Sequence, residues 1–317
     1  MVRIGKTWWL LAISSWLGGL NGTFAHGETP PDDERGFVRL LSEGDHPRAL
    51  QTSIARYRGE IGGKAVVVDL VGAVHLGDQA YYERLNELFA NYDAVLYEFV
   101  APEGFEVPDP EQRSQNPLRL IQDSMRSILG LESQLEHVDY KQPNFVHADM
   151  SPEEMAQAMQ ARGDNMLSFA LSAFSDLARQ ASLQADELDE DEMELLDPLT
   201  LLTDPHAGQK LKVQMARQFD RMGATDMALG AKISQLIVAD RNQAALRAFD
   251  QQVARGDRRL AIFYGAAHMN DFETRLLKQY GFRYVGTEWL TAWDLQKPAD
   301  AQAGITSLLL RAMQPAD

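Results

Sequence analysis

Cysteine is missing from this chain of 317 residues. Its absence excludes disulfide staples, thiolate nucleophiles and thiolate metal ligands. Positive charge is scarce too. Thirty Lys and Arg stand against 46 Asp and Glu, a formal net charge of -16, which excludes a nucleic-acid backbone as partner because that binding needs clustered cations. Long apolar runs are also lacking. The stretch "TWWLLAISSWLGGL" ends at Leu20 after starting at Thr7, short of the ~20 residues a spanning helix needs, so no stable membrane span is expected. Histidine is rare, with seven in all, and two of the seven fall at the same point of the same local pattern.

What is present begins with an export signature. Arg3 and Lys6 precede the apolar stretch, and Thr23-Phe24-Ala25 offers a small-residue cleavage site, so the mature chain is expected to start near His26, in the periplasm or outside the cell. The remaining composition, 45% hydrophobic and 24% charged, is that of an ordinary globular protein. The expected organisation is a signal over 1–25, a poorly ordered leader over 26–50, one α/β domain over 51–297 with a helical insert over about 153–254, and a C-terminal tail over 298–317.

The fold class follows from two similar passages. "VVVDLVGAVHLGDQAYYERL" (66–85) and "RLAIFYGAAHMNDFETRLL" (259–277) each run from an apolar strand through Gly-x-x-His and an aspartate three residues on into a helical pattern. Strands apolar on both faces suit a buried parallel sheet. "TSIARYRG", "DAVLYEFV" and "GFRYVGTEWLTAWDL" read as further strands. The expectation is an α/β fold, its mostly parallel or mixed sheet built by the N- and C-terminal thirds as two βαβ-type halves facing each other. Between them "NFVHADMSPEEM" predicts a short strand running into a helix capped by Ser151 and Glu154, with Pro152 at its first position. The acidic run "ADELDEDEMELLD" lacks the residue order of a calcium loop and reads as a solvated face.

Ligands of open α/β sheets sit beyond the carboxyl ends of the strands, where both Gly-x-x-His motifs fall. His75 and His268 are therefore candidates for one crevice. Gly72 and Gly265 would allow positive φ or close backbone approach beside them. Glu98, a carboxylate in an apolar strand, needs a partner. Two imidazoles and a carboxylate suffice for a divalent metal with an open water position, and equally for a metal-free acid–base pair. With no thiolate present, zinc, manganese, cobalt or iron would suit the site. Arg241, in "IVADRNQAAL", is a candidate partner of Glu98, with a surface helix charge as the alternative. His147 and Asp149 lie just before a helix start, where Asp149 is equally placed as a cap. His26, His46, His137 and His206 read as incidental.

Together "GAVHLGDQAYYERLNELFANYDAVLYE", "ADRNQAAL" and "FYGAAH" resemble the TraB/PrgY/GumN family, which includes the Tiki proteases, over about Thr52 to Trp293. The resemblance implies an α/β core similar to the erythromycin esterase and ChaN-like group. By it, His75 and His268 are the paired motif histidines, Glu98 the glutamate ending the following strand and Arg241 the arginine of a Glu-Arg-Asn-like stretch, in which Asp240 stands here for the glutamate. It implies metal-dependent hydrolysis of peptides, with His75, Glu98 and His268 holding the metal and Arg241 orienting Glu98 or stabilising an oxyanion. The rival expectation is a periplasmic binding protein that captures a peptide, a signal molecule or haem iron without turnover.

Overall fold

The computed structural model describes residues 36–102, 126–162, 203–204, 206–222 and 235–299. The segment expected as a signal, the acidic run over 185–197 and the residues beyond 299 lie outside the described residues.

Seven strands form one sheet of mixed direction. β1 (Val38–Glu43), β2 (His46–Ile61) and β3 (Lys64–Ala73) are consecutive antiparallel neighbours. Gly62 and Gly63 close the β2–β3 hairpin with φ of 59° and 72°, the two left-handed positions of a type I′ turn, which glycine fills without steric cost. Beyond β3 the sheet is parallel. β8 (Arg259–Gly265) pairs with β3, β5 (Ala94–Tyr97) with β8, and β7 (Phe145–His147) with β5. β9 (Arg283–Asp294) runs antiparallel to β2. Two short strands, β4 (Leu76–Gly77) and β6 (Glu132–Ser133), pair apart from this sheet, and α2 (Gln134–His137) follows β6 directly.

The fold is thus α/β with a mixed sheet. The picture of two facing halves is corrected, however: β8 inserts between β3 and β5, the two strands of the first βαβ-type half, so the halves interleave. β8 runs parallel to both, and only a strand arriving from outside the first unit can fill that gap. β1 and the head of β2 occupy 38–50, inside the stretch 26–50 expected as a poorly ordered leader. The charged tip "SEGDHP" hid a hairpin whose partner strand, β9, lies far along the chain.

Period-2 alternation divides the central strands between two cores. Val71, Ala73, Val95, Tyr97, Ala261 and Phe263 face one layer, which is covered by α1 (Gln79–Phe89) through Tyr82, Leu85 and Phe89. Val68, Leu70, Leu96, Leu260, Ile262 and Tyr264 face the other, under Phe249 of α5 (Arg241–Arg255) and Phe272 of α6 (Met269–Lys278). Asp69, fully buried in β3, is held by two hydrogen bonds from Arg56 and one from the Tyr92 hydroxyl. Where 153–254 is described it is helical: α3 (Pro152–Ala161), α4 (Ala207–Met222), a π-helical turn over Gln235–Asp240, and α5. Ser151 and Glu154 form the capping box, with Pro152 opening the helix. No helix among the described residues is long and apolar enough to cross a membrane.

Candidate active site

The four parallel strands end side by side, and each delivers polar side chains at its carboxyl end. Tyr97 pairs with Phe263 and His147, so Glu98 emerges between β8 and β7. Gly72 is paired with Tyr264 and Ala73 with Gly265, which sets the two Gly-x-x-His motifs next to each other and one residue out of step.

Glu98 lies at the centre. Its Oε1 accepts from Arg241 Nη2 at 2.7 Å and its Oε2 from the Gly265 amide at 2.6 Å. Arg241 opens α5 and reaches back to donate to both oxygens of Asp149, from Nε at 3.0 Å and from Nη2 at 2.5 Å. The two carboxylates supply the counter-charge that a buried guanidinium needs. The Asp149 side chain has no exposed surface, and it also accepts from the Met150 amide. It is therefore the second anchor of Arg241, while Ser151 caps α3. Arg241 is buried, which disposes of the surface-charge alternative.

His268 closes the group from a short 3-10 turn (Ala266–His268). It is 4% exposed, with Tyr264 and Phe272 packed around its ring. Nδ1 lies 2.6 Å from Asn242 Oδ1, and Nε2 lies 3.6 Å from Glu98 Oε1. Burial pushes its pKa below the ordinary histidine value, against the pull of Glu98. For Glu98, burial alone would raise the carboxyl, but His268, Arg241, the Gly265 amide and, least of all, His75 hold it below the usual carboxylate range. Near neutral pH the pair is thus a neutral imidazole facing an ionised carboxylate.

His75 stands apart. It is exposed, its Nδ1 is 3.3 Å from Gln134 Oε1, and its carbonyl accepts from the Gln134 amide. Among the described residues, the one set of His, Asp and Glu whose ligand atoms all lie within 4.8 Å of one another is Glu132, Glu136 and His137, where Arg126 bridges both carboxylates. The expected trio of His75, Glu98 and His268 is not among such sets; Glu98 and His268 stand 3.6 Å apart. His147 is also outside the group, since its Nε2 is bonded to the Phe99 carbonyl at 2.5 Å. The glycines are corrected in part. Neither Gly72 nor Gly265 has positive φ, but a Cβ on Gly265 would lie 3.3 Å from Glu98 Oε2, so close approach is its role. Gly72 meets nothing nearer than 3.5 Å.

No family model, curated protein or solved structure matches the chain.

Two contributors had no assigned role in the sequence. Asn242 stands in "ADRNQAAL" beside Arg241, and Tyr264 in "FYGAAH" donates its hydroxyl to the Ala148 carbonyl at 2.5 Å, tying β8 to the turn that carries Asp149. Adjacency to a candidate residue was the only signal for either.

Proposed function

We propose that the crevice at the carboxyl ends of β3, β8, β5 and β7 is the active site of an exported hydrolase acting on peptide bonds, with a water molecule held between His268 and Glu98. The observation that carries this reading is the 3.6 Å separation of His268 Nε2 from Glu98 Oε1, too long for a direct hydrogen bond. When Nε2 carries no hydrogen the two are both acceptors, and at that distance they repel unless something between them supplies hydrogens. A water giving one hydrogen to each keeps its lone pairs free for a carbonyl carbon. His268 then takes the proton as the carbon–oxygen bond forms, and returns it to the leaving amine as the carbon–nitrogen bond breaks. Glu98 stabilises the imidazolium formed in between. Arg241 keeps Glu98 ionised and aimed.

The acid–base pair suits any acyl group, and peptide as substrate draws its support from the motif resemblance to the TraB/PrgY/GumN family. Export draws its support from the first 25 residues. A divalent cation, zinc, manganese, cobalt or iron, seated on the same two atoms is the second reading, favoured because two ligands at ~2.0 to 2.2 Å from one ion stand about this far apart. The guanidinium 2.7 Å from the same Glu98 oxygen and the absence of His75 from any three-ligand set among the described residues count against a three-ligand seat.

Hydrolysis of a peptide library and of simple acyl esters by the exported protein, in chelator and with added manganese, cobalt or zinc, tests the proposal. Turnover in chelator that is lost in His268→Gln supports the water-mediated reading. Turnover only with metal supports the second. Binding of peptide or haem without cleavage of any substrate makes the chain a capture protein and defeats both.

A further inference from the structure

Asn242 is fully buried, and its amide orientation is fixed by its neighbours. Nδ2 donates to the His268 carbonyl at 3.0 Å and to Asp271 Oδ2 at 2.8 Å. Both of those atoms are acceptors only, so Oδ1 must be the atom turned to His268 Nδ1. Asp271 is itself held by Arg275 Nε at 2.7 Å, and Arg275 is tied by Nη2 to the Ala239 carbonyl and by Nη1 to Gln243 Oε1. The chain Arg275, Asp271, Asn242 thus ends on one ring nitrogen of His268, and an amide oxygen 2.6 Å from that nitrogen requires a hydrogen on it.

We infer that Asn242 is a positioning residue that fixes His268 as the Nδ1–H tautomer, leaving Nε2 as the bare nitrogen turned to Glu98. Its catalytic meaning rests on the hydrolase reading above, whereas the tautomer does not. With the hydrogen on the other nitrogen, Nε2 would donate towards Glu98 and could take no proton from water. Burial makes the choice strict. The wrong tautomer would leave a lone pair against the Asn242 oxygen, and an unmade buried hydrogen bond favours the right one by about ten to one or more.

The test is nitrogen-15 NMR of the full chain labelled in histidine, at pH 8, above the range in which an ordinary histidine titrates. The signals of His268 are those missing from His268→Gln. The expected wild-type pattern is a proton-bearing Nδ1 and a bare Nε2. Asn242→Asp retains an acceptor at the same place and should retain that pattern, while Asn242→Ala removes the acceptor and should move the hydrogen to Nε2, where it points towards the Glu98 charge. A wild-type Nε2–H, or a folded Asn242→Ala with the tautomer unchanged, overturns the inference. If Asn242→Ala does not fold, the wild-type spectrum decides alone. A chain with the expected tautomer that hydrolyses nothing refutes the proposed function and leaves this inference standing.

Discussion

His75 and His268 close the same four-residue motif on neighbouring parallel strands, and each has a carboxamide oxygen at Nδ1. There the likeness ends. His268 is walled in by Tyr264, Phe272 and Glu98, with a contact of 2.6 Å to Asn242; His75 is exposed, with a contact of 3.3 Å to Gln134. The difference starts one residue after each strand. β8 runs straight into a 3-10 turn and α6, which fold His268 back over the sheet, whereas the residues after β3 leave the sheet to pair with β6. The aspartates three residues on diverge likewise. Asp271 braces Asn242, while Asp78 accepts from the Asp294 amide and Lys297 and pins the end of β9. A motif repeated in sequence therefore produced one enclosed imidazole and one peripheral one.

The sharpest way to break this contrast is to remove its buried cation. Arg241→Leu leaves Glu98 and Asp149 facing each other without a counter-charge, and urea denaturation should show a loss of about 3–5 kcal/mol. His75→Ala, at an exposed position, should stay within about 0.5 kcal/mol of the parent. In turnover, His268→Gln and Glu98→Gln should each lower kcat/KM by roughly 10²-fold or more, as expected for loss of a positioned base, with circular dichroism unchanged. An equal loss in His75→Ala would make the two histidines partners and restore a three-residue site.

Protonation sharpens the comparison further. Because the His268 pKa lies below the ordinary histidine value, the acid limb of kcat/KM should fall below about pH 6.5. Stability has the same sign. The unfolded chain takes up a proton on this residue as pH drops through about 6.5 while the folded chain resists it, so the thermal midpoint declines below that pH, and His268→Gln should flatten the decline by at most about 1.4 kcal/mol per pH unit. Glu98, whose folded pKa is also depressed, adds its own loss only in the lower, carboxylate range. The smallest effects belong to the glycines. Gly265→Ala should cost about 1 kcal/mol and reduce turnover by displacing Glu98, whereas Gly72→Ala, with only ordinary contacts waiting for its methyl group, should be close to neutral; equal effects would erase the distinction between the two turns.

Much of this was visible in the sequence. The apolar runs placed β3, β5 and β8, the capping box placed α3, the strand-end rule pointed to His75 and His268 together, and the need of a buried carboxylate for a partner pointed from Glu98 to Arg241. Local pattern failed where the deciding contact is distant. Nothing in "DRN" says that Asn242 bonds an imidazole 26 positions later, and nothing near His75 says that Gln134 holds it aside. The insertion of β8 between β3 and β5 is likewise a property of the whole sheet, and a hairpin as charged as "SEGDHP" reads as leader until β9 is known to lie against it.

The long second strand has a consequence for how the molecule is made. β2 supports β1 and β3 on one side and β9 on the other, pairing Ala49–Arg58 with Arg283–Asp294, and β8 must arrive before β3 and β5 share a neighbour. A chain emerging from its N-terminus therefore carries a hairpin with open edges until residues near 260 and then 283 become available. Closure of loops this long delays the productive contacts. The site is complete only once β8 and α6 have joined the sheet, so a prematurely ended chain can hold Glu98 and His75 but never the imidazole that faces the carboxylate.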